Sequence, residues 1–293
     1  MGTRVSIDLP TEQVAGRITF VGGLHRSGTT PLTRWLARHP AISGLENTGV
    51  QEDEGQHLQS VYPAAHVHGG PGRFAFDRGA WLTESSALVG TESSDRLVRS
   101  WAPYWDLSCE VLLEKSPPNL VRMRFLRALF PEARFIMVVR HPVAVAMATQ
   151  KWSKTSLRSL IEHWVRAHER LVEDARAVGR VAVVRYEDLM RAPNETLGGL
   201  FQFLGVEPYA ETWNVTAQLN SRYFAQYDEV TRSIAGRVTR MACQRFESFV
   251  APFGYSLRDP RALSQPVPAL QALGGLSAPA SPHQPRVTGG AAD

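Results

Sequence analysis

The chain has two cysteines in 293 residues, Cys109 and Cys243. They are too few and too far apart for a disulfide framework or a zinc site, and buried free thiols are expected. Lysine is scarce as well: of 32 basic residues, only Lys115, Lys151 and Lys154 are lysines. The arginines in their place favour planar, bidentate contacts with anions. No apolar run approaches the ~20 residues of a membrane helix. Residues 1–10 lack an apolar core of signal-peptide length, so a soluble cytoplasmic protein without a membrane span is expected. A block of like charge is missing too. The net charge of +4 and pI near 9.3 come from scattered residues, not from the dense basic stripe that binds nucleic acid. An anionic small molecule accounts for the arginine bias equally well. A hydrophobic content of 43% suffices for one large α/β domain, with or without a lid.

The chain is organised around Phe20-Val21-Gly22-Gly23-Leu24-His25-Arg26-Ser27-Gly28-Thr29-Thr30. An apolar run leads in, a helical run leads out, and Pro31 suits a first helical turn. Glycines let backbone N–H groups turn inward on an anion, and the helix N-terminus behind them adds partial positive charge. The loop is P-loop-like but not a Walker A motif, because Thr29 stands where the lysine should be and the available cation is Arg26. A phosphate-like anion is expected, without the usual Mg²⁺ arrangement.

A short second strand over 41–45 precedes the acidic stretch 46–57. In an open parallel sheet, strand C-termini face the ligand crevice. Glu46, Glu52, Asp53 and Glu54 are therefore candidates for a general base on a substrate hydroxyl, with a solvated acidic loop as the plainer account. Residues 62–72 read as a loop or lid. Its His66 and His68, or His57, could serve as an alternative base. No third or fourth partner completes a metal site. A helix is expected over 82–105, with Trp101, Tyr104 and Trp105 as packing residues. A strand over 110–113 then leads to Lys115, before a helix over 120–129. The run 133–139 is a strand buried on both faces. Arg140 follows it at once, ahead of a helix over 143–150, which makes a second anion site. Residues 156–178 read as an amphipathic helix, 181–184 as a strand, 193–204 as a helix, 220–223 as a loop and 232–250 as a last helix. From Asp259 the composition reads as a disordered tail.

With these pieces in place, the chain resembles the sulfotransferases that use 3′-phosphoadenosine 5′-phosphosulfate (PAPS), over about residues 17–255. The motifs are the glycine loop, Glu114-Lys115-Ser116-Pro117, the strand–Arg140–helix unit over 135–148, and Tyr186-Glu187-Asp188-Leu189. The loop is most similar to that of tyrosylprotein sulfotransferases. The resemblance implies a three-layer α/β/α fold of P-loop-like type, with a central, mainly parallel sheet. It implies that Arg26, Ser27, Gly28, Thr29 and Thr30 cradle the 5′-phosphosulfate, with Gly23, His25 and Tyr186 in the same donor site. It assigns the 3′-phosphate to Arg140 and to the position of Ala148, where the family carries serine and Thr149 stands alongside. Lys115 matches a lysine near the transferring group. The family's base position matches Asn47, so the base is expected at Glu54, or else Glu46.

The function expected is transfer of a sulfuryl group from PAPS to a hydroxyl of a glycan, lipid or secondary metabolite, without a metal and without nucleic acid as partner. The alternatives are a P-loop kinase of a small hydroxyl substrate and a non-catalytic nucleotide-binding protein. The division expected is a lead-in over 1–16, a catalytic domain over 17–258 and a tail over 259–293.

Overall fold

Five short runs of aliphatic residues form one sheet: β1 (Ile18–Gly23), β2 (Ile42–Gly44), β3 (Val111–Lys115), β4 (Arg134–Val139) and β5 (Val181–Arg185). The computed structural model describes residues 11–209 and 220–265. The strand order is β2-β3-β1-β4-β5 and every pairing is parallel. Alternation along each strand divides the core into two layers. Ile18, Phe20, Leu112, Phe135, Met137 and Val139 join the core on one face. Val21, Val111, Leu113, Ile136 and Val138 join the core on the other. The architecture is three-layer α/β/α.

The helices are α1 (Thr11–Ala15), α2 (Thr29–Leu36), α3 (Thr91–Trp101), α4 (Met123–Leu129), α5 (Pro142–Ser153), α6 (Leu157–Val178), α7 (Tyr186–Arg191), α8 (Pro193–Leu204), α9 (Ser221–Val230), α10 (Ile234–Gln244) and α11 (Glu247–Val250). Helices α3, α4, α5 and α6 pack on the first face, where Phe20 meets the rings of Trp101, Phe130 and Phe135 within about 6 Å. Helices α2, α7 and α8 pack on the second through Leu32, Leu36, Leu189 and Leu200.

Several expected elements differ. The helix expected over 82–105 begins only at Thr91, because its first part folds as turns. The helix expected from 120 is preceded by a 3₁₀ segment at Pro117–Val121, where two prolines supply no N–H to an α-ladder. Residues 220–223, expected as a loop, open α9. The last helix is broken between α10 and α11 around Phe246. At the front, Val14 of α1 is fully buried, so the folded unit starts before residue 17. At the back, residues 259–265 pack on the body. Ser264 N–H donates to the Gly254 carbonyl (3.0 Å), and Arg185 donates to the Ser264 carbonyl. Residues 1–10 of the expected lead-in and 266–293 of the expected tail lie outside the described residues.

Candidate active site

The parallel sheet brings the C-terminal ends of β1, β3 and β4 to one edge. The register sets Val21 beside Lys115 and Gly23 beside Val138. Lys115 therefore ends the strand on one side of the glycine loop, and Arg140 follows the strand on the other. Between Arg140 and Glu54, the partner of Lys115, lies a cleft of about 360 Å³, within the range of small-molecule sites.

Two glycines shape the loop beside it, and Gly28 lines it. A Cβ on Gly23 would lie 2.6 Å from Ser27 Oγ and 2.7 Å from the Val138 carbonyl oxygen, so the loop can fold back over β1 only with glycine there. Gly28 has φ 105°, in the left-handed region, and the ring of Tyr186 lies where its Cβ would be. Gly28→Ala should therefore cost about 1–3 kcal/mol, through both steric overlap and backbone strain. Thermal unfolding beside wild type measures this, and an unchanged midpoint would refute it. Thr29 and Thr30 line the cleft at the N-terminus of α2, where unpaired N–H groups and the helix dipole favour an anion. Ser27 is buried behind them and, among the described residues, its Oγ has no hydrogen-bond partner. His25 forms part of the wall. Burial, then the charges of Lys115, His57 and Arg26, pushes its pKa down to about 3, so its ring is neutral. Arg26 is exposed, with its guanidinium 5.2 Å from the ring of Trp152 at the cleft mouth.

The Arg140 side is a network. The guanidinium lies 4.1 Å over the ring of Tyr186. It donates through Nη1 to the Arg26 carbonyl (2.9 Å), and through Nε and Nη2 to Asn220 Oδ1 (3.0 and 2.7 Å). Asn220 Nδ2 in turn donates to Glu187 Oε1 (2.7 Å), which also accepts the His141 N–H (3.0 Å). Tyr255 Oη donates to Glu187 Oε2 (2.7 Å). Burial lowers the pKa of Arg140, but a guanidinium remains charged. The cation is thus fixed in direction, with the ring of Tyr186 on its face. Of the two neighbours expected to complete this site, Thr149 lines the cleft and its buried Oγ1 has no partner among the described residues. Ala148 is fully buried in the core and does not line it. Helical geometry turns adjacent side chains about 100° apart, so only one of the two can face the cleft.

Opposite stands a carboxylate–ammonium pair. Glu54 is 6% exposed. Its Oε1 lies 3.3 Å from Lys115 Nζ, and its Oε2 accepts from Gln56 Nε2 at 2.5 Å. Lys115, the last residue of β3 and 3% exposed, also donates to the Glu52 carbonyl at 2.7 Å. The chain reaches this point through two consecutive left-handed residues, Glu52 (φ 54°) and Asp53 (φ 50°). Asp53 is held by Thr48, whose N–H and hydroxyl both donate to Oδ1 (3.0 and 2.6 Å). The other expected base does not reach the cleft: Glu46 is exposed and outside its lining, where its backbone N–H is held by the Tyr104 carbonyl. His57 Nε2 lies 3.6 Å from Glu54 Oε2, and burial lowers its pKa despite that carboxylate. His66 stacks on His57, whereas His68 pairs with Asp77 (2.7 Å) on another surface. Among the described residues, no three metal-ligating side chains gather.

Sequence reasoning missed Asn220, Trp152 and Tyr255, and it quoted Glu187 without a role. The motif Tyr186–Leu189 held the signal for Glu187, since a carboxylate two residues after a strand end lies at the ligand edge. Asn220 lies 80 residues from Arg140, and no local pattern connects them.

Residues 19–211 match the Sulfotransferase family. Protein-tyrosine sulfotransferase 1 of Danio rerio is 25% identical over 205 residues, covering 64% of this chain and 53% of that protein. The protein-tyrosine sulfotransferase of Drosophila melanogaster is 26% identical over 209 residues, covering 64% of this chain and 38% of that protein. The chain thus spans about half the length, or less, of these curated relatives. Among solved structures, sulfotransferase STF9 from Mycobacterium avium aligns with a TM-score of 0.47 at 17% identity, covering 76% of this chain and 70% of that one.

Proposed function

The chain belongs to the sulfotransferase family, and from that premise we propose that it transfers a sulfuryl group from PAPS to a hydroxyl acceptor. The observation that carries this reading is the pairing, in one cleft, of two separate anion-binding ends with a buried carboxylate. The residues present fit the donor. The glycine cradle would be filled by a single Cβ, Ser27 Oγ and Thr149 Oγ1 are buried without partners among the described residues, and Arg140 is held ready.

When bound, PAPS supplies an activated sulfuryl group on a phosphosulfate linkage. The loop N–H groups, Thr29, Thr30 and the N-terminus of α2 bind the phosphosulfate end and counter charge on its oxygens. Arg140 and Thr149 hold the 3′-phosphate. This separation of the two anions lets the site tell the donor from a nucleotide without a 3′-phosphate. Glu54 accepts the acceptor's hydroxyl proton on a carboxylate oxygen. Lys115 orients Glu54 and places a cation beside the transferring group. Arg26 stands at the mouth, where it meets ligand charge.

For the acceptor we propose a glycan, lipid or secondary-metabolite hydroxyl. Peptide tyrosine is the competing class, because the relatives carry that name. An acceptor panel with labelled PAPS separates the two.

Calorimetry with adenosine 3′,5′-bisphosphate and ADP tests the donor assignment first. The bisphosphate is expected to bind at about micromolar affinity and ADP at least about tenfold more weakly. Equal binding of ADP would favour a kinase, and no binding of either ligand would remove the assignment.

A further inference from the structure

We propose that Glu114 is a positioning residue: through Ser116, its buried carboxyl holds the turn that carries Glu54 and so sets where that carboxylate stands. This inference rests on Glu54 being the base of the proposed reaction.

Glu114 is the last residue but one of β3, next to Lys115, and is fully buried. Strand alternation points the two side chains to opposite faces, yet both act on the same turn. Lys115 reaches Glu54 directly. Glu114 reaches the turn from beneath. Ser116 Oγ donates to Glu114 Oε1 (2.5 Å) and accepts the Gln56 N–H (2.9 Å). Gly55 rests against the Glu114 carboxyl so closely that a Cβ would overlap Oε1, and the Gly55 carbonyl is held by Trp101 Nε1 (3.0 Å). Gln56 then closes the circuit. Its Nε2 donates to Glu54 Oε2 (2.5 Å), and its Oε1 accepts the Ala65 N–H (2.8 Å). Both oxygens of Glu54 are therefore oriented by groups anchored at the end of β3.

The other oxygen of Glu114 looks toward the donor half of the cleft. Oε2 accepts from Asn119 Nδ2 (2.6 Å), and the same Nδ2 donates to the Val21 carbonyl (3.2 Å) in β1, just ahead of the glycine loop. One carboxyl thus ties the base-bearing turn to the strand that bears the cradle. Burying an acid here is costly, and an aliphatic side chain would fill the space without that cost. Burial pushes the pKa of Glu114 up to about 7, against the pull of its Ser116 and Asn119 hydrogen bonds. What the acid supplies is direction: two acceptor oxygens facing two different elements.

The test uses Glu114→Gln and Ser116→Ala, alone and with Glu54→Gln. Amide exchange of Gln56 reads the turn without any ligand, and is expected to rise on the order of tenfold in both single variants as the link to Ser116 is weakened or lost. Affinity for adenosine 3′,5′-bisphosphate should stay within about twofold in Ser116→Ala, which leaves the link from Glu114 through Asn119 to β1 intact. Release of that bisphosphate from PAPS should slow on the order of 10–100-fold, the scale of a small misplacement of a catalytic group. In the Glu54→Gln background, the same changes should slow it less than about twofold, because nothing remains to be positioned. Should Glu114→Gln not fold, Ser116→Ala carries the test, because it leaves the contact between Glu114 and Asn119 intact. Unchanged exchange at Gln56, or equal losses in both backgrounds, overturns the proposal. A wild-type protein that binds no bisphosphate brings down the sulfotransferase reading instead, and the exchange result still decides whether Glu114 holds the turn.

Discussion

Arg140→Ala is expected to weaken binding of adenosine 3′,5′-bisphosphate by about 10²–10³-fold while changing ADP binding less than about tenfold, so that the two affinities converge. The size follows from the state of the group. Arg140 is 7% exposed and its donors are already directed by the Arg26 carbonyl and Asn220, so little ordering is left for the ligand to impose. Charge-assisted hydrogen bonds contribute about 1.5–3 kcal/mol each, and a buried charge whose partner is removed costs about 3–5 kcal/mol. Two such contacts to a 3′-phosphate reach the predicted range. Arg140→Lys should recover only a small part of the loss. An ammonium cannot hold the Arg26 carbonyl, Asn220 and an anion in one plane, nor stack on Tyr186 in the same way. Calorimetry with both ligands, beside a thermal melt of each variant, makes the measurement. Equal loss for ADP and the bisphosphate would falsify the assignment of Arg140 to the 3′-phosphate.

Glu54→Gln should lower kcat by about 10²–10⁴-fold and leave bisphosphate affinity within about threefold of wild type. The replacement keeps the shape that Gln56 and Lys115 pack against and removes the proton acceptor. Glu46→Gln, exposed and outside the cleft lining, should change neither quantity by more than about twofold. His57→Ala separates the remaining alternative. The ring lies 3.6 Å from Glu54, and its lowered pKa leaves it neutral at pH 7. If the histidine variant lost kcat on that scale and the glutamine variant did not, His57 would be the base.

The cradle was legible because every contribution to it is local. A run of alternating apolar residues, glycines at the turn and threonines opening a helix are all read within about a dozen positions, and the structure places them as β1, the loop and α2. Arg140 was legible for the same reason, directly after an apolar run fit for burial on both faces, and Lys115 followed a shorter run read as a strand. The choice among carboxylates was only half legible. Composition marked Glu46, Glu52, Asp53 and Glu54 as a group, but nothing in their spacing announces that Glu52 and Asp53 turn left-handed and that Glu54 meets Lys115.

The sequence by itself determined a parallel α/β core, a phosphate-type cradle in place of a Walker A loop, and cations at the two flanking strand ends. Those outcomes depend on backbone conformation and side-chain periodicity over short stretches, where few alternatives compete. Only the tertiary structure decided that Glu54 and not Glu46 meets Lys115, and that Thr149 and not Ala148 faces the cleft. It alone set Asn220 and Glu187 to hold Arg140 and Glu114 to carry the turn beneath Glu54. These pairings join residues up to 80 positions apart, and they depend on the path each connecting segment takes after its ends are fixed by the sheet. That path is settled by packing in three dimensions and is not written in any local pattern.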